Sequence, residues 1–146
     1  MSFLVDTNIL LYSANPASPE FSAARAEVER LRRGTSPWFL TWGIVYEFLR
    51  VATHPTVFPH PLSMASAVLF VKRLLESPSL EVLHETDRHF PLFEDEIKMT
   101  SGILGNDVHD AHVVVLMREH NLRRILSADR GFLRFKGIEV TDPVHV

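Results

Sequence analysis

The chain has 146 residues, 46% of them hydrophobic and 23% charged, which fits a folded globular protein and excludes a disordered one. A formal charge of −3 argues against a general electrostatic DNA binder, and the absence of cysteine removes disulfides, thiol catalysis and cysteine-held zinc. No apolar run reaches membrane-spanning length, and the N-terminus lacks a basic leader and carries Asp6 in its apolar stretch, so one cytoplasmic domain over residues 1–146 is expected.

The opening "MSFLVDTNILLYSANP" reads as a buried strand, Phe3–Asp6, running straight into a helix over "TNILLYSA". An amphipathic helix follows over Ser22–Arg33 and stops at Gly34. The next strand is "PWFLT" (Pro37–Thr41), and a helix over Gly43–Thr53 ends before His54-Pro55. Ser63 caps a helix that runs to Glu76 and halts at Ser77-Pro78; "LEVLH" (Leu80–His84) is a strand. Helices over Phe90–Ser101 and Val108–His120 lead to strands "RILSA" (Arg124–Ala128) and "IEVTD" (Ile138–Asp142). The β-branched run "HVVVLM" (His112–Met117) also suits a strand, but Asn121 as a helix stop before "RILSA" favours the helix. Five strands alternating with helices predict an α/β fold, a mostly parallel five-stranded sheet covered on both faces as a three-layer sandwich.

In such a sheet ligands bind at the carboxyl ends of the strands. Asp6 ends the first strand and Asp129 follows "RILSA"; Glu47 lies on the helix just beyond "PWFLT", and Asp110 opens the helix that leads into "RILSA". All four acids therefore reach the same edge. Crowded carboxylates need shared protons or a cation, and an all-oxygen donor set points to Mg²⁺ or Mn²⁺, one or two ions, with ligands at ~2.1 Å. Each acid also has an ordinary role. Asp6 can cap the following helix, Glu47 can pair with Arg50, and Asp107 and Asp110 have capping-box spacing with Asp107 at the cap. Asp129 can be a turn residue; these separate explanations do not account for one shared edge.

The remaining features carry less chemistry. His109 and His112 are three apart without a third nitrogen ligand, and His112 is expected to point away from the acids. Trp38, Phe39 and Trp42 suit a core or a subunit interface. Between Arg118 and Lys136, six basic residues (Arg118, Arg123, Arg124, Arg130, Arg134, Lys136) stand against the acids Glu119 and Asp129, and Arg30, Arg32 and Arg33 form a second basic spot. Such patches guide phosphate backbones or form a solvated rim.

"VDTNILLY", "WGIVYEFLRVATHP", "GNDVHDAHVVVLMREHNL" and "ILSADRGFLRFKGIEVTDP", in this order, resemble the PIN-domain ribonucleases, and most of all the VapC-type toxins of bacterial toxin–antitoxin pairs. The resemblance covers nearly the whole chain. It implies a metal-dependent endoribonuclease with Asp6, Glu47, Asp110 and the more variable Asp129 as metal-holding catalytic acids. Asn8 and Ser127 match supporting polar positions, and Asp107 falls outside the family pattern. It also implies a homodimer, a cognate antitoxin that holds the toxin neutral, and RNA substrates such as a tRNA or rRNA loop. Products would carry a 5′-phosphate and a 3′-hydroxyl, since external water is the nucleophile. Arg123, Arg124, Arg130 and Arg134 are the expected RNA-steering residues.

The alternative is a non-catalytic PIN-like module that binds RNA or protein. An aspartyl-nucleophile phosphatase would need a second acid two residues after the first, where Asn8 stands. A response-regulator module would need a lysine that Lys72, Lys98 and Lys136 do not supply.

Overall fold

The computed structural model describes residues 2–145. Its core is a five-stranded sheet of β1 (Phe3–Val5), β2 (Trp38–Thr41), β3 (Leu80–Leu83), β4 (Arg124–Leu126) and β5 (Glu139–Thr141), in spatial order β3-β2-β1-β4-β5. Every pairing is parallel, with Leu4 opposite Phe39 on one side and Ile125 on the other. β1 is therefore central, and its three residues are all buried, as a strand covered on both faces requires.

The connections explain the layers. The chain steps from β1 to β2 through α1 (Thr7–Ser13) and α2 (Phe21–Arg33), and on to β3 through α3 (Trp42–Ala52) and α4 (Met64–Leu75). It then crosses back over the sheet through α5 (His89–Met99) and α6 (Asp107–Glu119) to β4, on the far side of β1. Right-handed crossovers put the first four helices on one face and the last two on the other. The packing agrees: α1 meets α2 and α3, α3 meets α4, and α5 meets α6. The reversal of direction between β1 and β4 is the topological switch point, where an open parallel sheet leaves a crevice at its carboxyl edge.

Local signals set most element ends. Thr41 caps α3 by accepting from the Ile44 N–H at 3.1 Å, and Ser63 caps α4 by accepting from Ser66. At the end of α6, Asn121 takes φ 57° while its N–H reaches the Arg118 carbonyl and the Leu122 N–H that of Met117. This is the left-handed stop that asparagine tolerates. The run "HVVVLM" is helical because α6 is buried around most of its circumference: Ala111 and Val113 to Met117 are all core residues. Burial outweighs the strand preference of β-branched side chains.

Much of the expected basic surface is paired with acids of the protein itself. Arg118 pairs with Glu96, whose side chain is fully buried, and donates to the Lys136 carbonyl at 2.8 Å. Arg124 pairs with Glu139, Arg30 with Glu27, and Arg32 and Arg33 with Glu29. Arg118 is thus a structural cation, and the expected patch is smaller than the sequence count implied. Arg118→Ala leaves the buried Glu96 carboxylate without its counter-charge and is expected to cost roughly 3–5 kcal/mol of stability. Urea denaturation measures this; a loss below about 1 kcal/mol would show that Glu96 does not depend on Arg118.

Candidate active site

Asp6 is held from three directions at the carboxyl end of β1. Its backbone is extended and its N–H continues the ladder to the Leu126 carbonyl at 3.0 Å. Oδ1 accepts from the Thr7 N–H at 2.8 Å; Oδ2 accepts from the Ser127 hydroxyl at 2.8 Å and from the Asn8 amide at 3.1 Å. Asn8 also donates to Ser127 and accepts from the Ala128 N–H, and Ser127 accepts from the Asp129 N–H at 2.9 Å. Asn8 and Ser127 thereby stitch the ends of β1 and β4 together around one carboxylate. Asp6 is the helix cap and a site acid at once.

The other acids come from both faces. Glu47 lies on the second turn of α3, where its Oε2 accepts from the Thr7 hydroxyl at 3.1 Å. His109 Nε2 stands 2.9 Å from the same oxygen, buried and without a well-aligned hydrogen bond. His109 thus belongs to this cluster rather than to the surface, and Glu47 is tied to Thr7 and His109, not to Arg50. Asp110, half-buried in the first turn of α6, has its carboxyl pushed up to about 6, first by burial, then by the charges of Asp129 and Asp6; His109 and Arg134 oppose the shift. Burial also raises Asp6, against the lowering hydrogen bonds of Ser127 and Thr7, with Glu47 and Asp129 adding to the rise. Asp129 is exposed and caps a 3₁₀ helix, Arg130–Arg134, by accepting from the Gly131 N–H at 2.8 Å.

Residues 3–138 match the PIN domain family. The chain belongs to that family. Ribonuclease VapC48 of Mycobacterium tuberculosis is 35% identical over 98% of both chains, and Ribonuclease VapC43 of the same species is 34% identical over 96% of this chain and 94% of its own. The fold is similar to that of VapBC2 from Rickettsia felis bound to a promoter DNA fragment (TM-score 0.68, 14% identity, 97% and 98% coverage). It is also similar to FitAcB from Neisseria gonorrhoeae (TM-score 0.62, 17% identity, full coverage of both).

In this PIN domain the acids sit where a divalent cation would be neutralised by them. Burial raises both Asp6 and Asp110, the neighbouring acids add to the rise, and His109 and Arg134 oppose it at Asp110. Among the described residues, the one trio of His, Asp and Glu ligand atoms all within 4.8 Å lies elsewhere, at Glu85, His89 and His112. An ion among the acids would keep waters in its shell, as Mg²⁺ does.

Two expectations change. Asp107 is not the N-cap of α6: Asn106 occupies that position, the Asp107 N–H goes to the Leu104 carbonyl, and the Asp107 carboxylate pairs with Arg134 at 3.1 Å. Arg123 and Arg124 are not at the acid edge. Arg124 begins β4 whereas Asp129 follows its end, an extended span of ~16 Å. Arg130 and Arg134, on the 3₁₀ helix that Asp129 caps, are on the site side. The sequence pairs His109 only with His112, because its partner Glu47 is 62 positions away.

The raised Asp110 carboxyl fixes a pH dependence in metal-free protein. A carboxyl whose folded value lies above its unfolded one stabilises the fold while protonated, so its contribution is present below about pH 4 and lost as pH rises to about 6. Wild type compared with Asp110→Asn is expected to lose relative stability across that window in denaturant titrations with EDTA. Parallel pH curves for the two proteins would contradict the placement of Asp110.

Proposed function

We propose that this PIN domain, acting as one nuclease unit over the whole chain, is a Mg²⁺- or Mn²⁺-dependent endoribonuclease and the toxin of a toxin–antitoxin pair. The observation that carries the reading is the buried Asp6 carboxylate, stitched in place by Asn8 and Ser127 and facing Glu47, Asp110 and Asp129. The curated relatives are themselves named ribonucleases. Acids so crowded would repel an RNA phosphate without a bridging cation.

Asp6, Glu47, Asp110 and Asp129 would hold the metal. A bound divalent ion supplies an activated water and stabilises charge on the phosphoryl oxygens and the leaving oxygen. The chain's own residues do the rest. Ser127 and Asn8 fix the Asp6 rotamer, so that no reorganisation is needed when charge develops. Thr7 donates to one Glu47 oxygen and His109 stands against the same atom, which would leave the other oxygen for an ion. Asp110, with its carboxyl near 6, is the acid whose ionised form a bound cation would favour. Arg130 and Arg134 meet the approaching backbone.

Solved relatives with this fold are described as VapBC and FitAB complexes, which supports a cognate antitoxin as partner. Trp42, Tyr46, Val68, Leu69 and Leu75 stand exposed on neighbouring α3 and α4, an apolar face suited to a second protein, whether antitoxin or a second copy of the chain. Trp38, in contrast, is fully buried and donates to the Ser77 hydroxyl. Among the described residues no helix is long and apolar enough to cross a membrane, in keeping with work on RNA in the cytoplasm.

The test is incubation of purified, antitoxin-free protein with a pool of structured RNAs. Cleavage is expected with Mg²⁺ or Mn²⁺, and is abolished by EDTA and by Asp6→Asn; Ser127→Ala is expected to lower activity about 10–100-fold. Metal bound without any cleavage would favour an RNA- or protein-binding module instead. For the arginines, the Arg130→Ala/Arg134→Ala variant should weaken binding of single-stranded RNA and reduce the slope of log affinity against log salt by about 1.4. An unchanged slope would remove both from the RNA path.

A further inference from the structure

Glu85, in the loop after β3, His89, the first residue of α5, and His112, on the second turn of α6, converge at a point separate from the acid cluster. Each offers one ligand atom, and these atoms all lie within 4.8 Å of one another. His112 Nε2 is 3.0 Å from Glu85 Oε1, and the two imidazole rings meet edge to face at 5.2 Å between centroids. The set draws on three segments that the sheet alone does not hold together.

One of the imidazoles is oriented from behind. His89 Nδ1 lies 2.7 Å from Glu119 Oε2, and the Glu119 side chain is fully buried. The other Glu119 oxygen accepts from both the N–H and the hydroxyl of Thr86, at 2.8 and 2.7 Å, so the carboxylate cannot swing away. A carboxylate on one imidazole nitrogen fixes the ring and raises the basicity of the other, which is how metal-ligating histidines are ordinarily held. Nε2 of His89 is then the nitrogen available to a cation. Glu85 and His112 are exposed enough, at 51% and 38% of their side chains, for solvent to complete the shell.

We propose that Glu85, His89 and His112 bind a Zn²⁺-class transition-metal ion that clamps the β3–α5 loop and the start of α5 onto α6. The donor set decides the class. Two imidazoles and one carboxylate suit Zn²⁺, whereas Mg²⁺ takes oxygen ligands. Bond lengths of about 2.0 Å put tetrahedral neighbours about 3.3 Å apart, so the trio needs to contract by little more than an ångström. The exposed Glu85 on its loop can supply that movement. On α6 the two histidines diverge, since His109 turns to Glu47 and His112 to Glu85. The proposal does not rest on the nuclease reading and can fail without it.

Zn²⁺ titration of the full chain by calorimetry tests it, with Asp6→Asn/Asp110→Asn as the background that removes the acid cluster. That background is expected to keep one equivalent of Zn²⁺, undisplaced by an equal concentration of Mg²⁺. Adding His89→Gln and His112→Gln should weaken Zn²⁺ at least tenfold, and Glu119→Gln alone about 10–100-fold. Should the double histidine variant fail to fold by circular dichroism, Glu85→Gln on the exposed loop replaces it, with the same expected loss. Co²⁺ bound at the site should give the strong visible absorption of a tetrahedral complex, lost in the same variants. No Zn²⁺ bound by the Asp6→Asn/Asp110→Asn chain, or unchanged affinity in a folded histidine or Glu85 variant, overturns the proposal.

Discussion

Asp6 sits at the end of the innermost strand with 8% of its surface exposed, and burying a carboxylate there is costly unless its lone pairs are met. Three donors meet them: the Thr7 N–H, the Asn8 amide and the Ser127 hydroxyl. Two of those come from the helix that Asp6 itself caps, and the third comes from the end of β4. The carboxylate can be satisfied only if β1 and β4 are adjacent and in register. The same pairing closes the crevice where the sheet reverses direction. Sheet order, helix entry and site geometry therefore share one constraint.

The second constraint is repulsion among the acids. Glu47 and Asp129 push on Asp6, and Asp6 and Asp129 push on Asp110. The fold keeps them near one another by giving Asp6, Glu47 and Asp129 other partners. Glu47 is held by Thr7 and His109, Asp129 by the Gly131 N–H, and Asp107 removes part of Arg134's charge. Elsewhere, charges are matched internally, and the arginines left on the site side are those of the 3₁₀ helix, next to Asp129.

α6 serves both polar clusters. Its valines, Leu116 and Met117 are buried in the core, so the helix has little freedom to rotate or slide. That rigidity transmits to what its first turns carry: Asp110 and His109 toward the acids, His112 toward Glu85 and His89. Glu119, at its other end, reaches back to orient His89. A helix buried nearly all round can place polar side chains only at its ends and along a narrow strip. Both clusters use those places.

Much of this was legible in the sequence because it depends on chain direction and local pattern. Short aliphatic runs closed by Asp6 and Asp129, helices between them and the cap at Ser63 define a parallel α/β order. In a parallel sheet, chain order alone says which end of each strand a residue occupies, so the common edge of Asp6, Glu47, Asp110 and Asp129 followed without coordinates. The same logic, applied to Arg123 and Arg124 at the start of β4, already places them at the opposite edge. Tertiary packing decided the rest, since each remaining partner is distant in sequence. Glu96 takes Arg118 out of the basic patch, Arg134 takes Asp107 from its capping role, Glu47 draws in His109, and Glu119 with Glu85 turns His89 and His112 into a cluster. Periodicity tells a side chain which face it occupies; which charge it meets there depends on how the helices pack across the sheet.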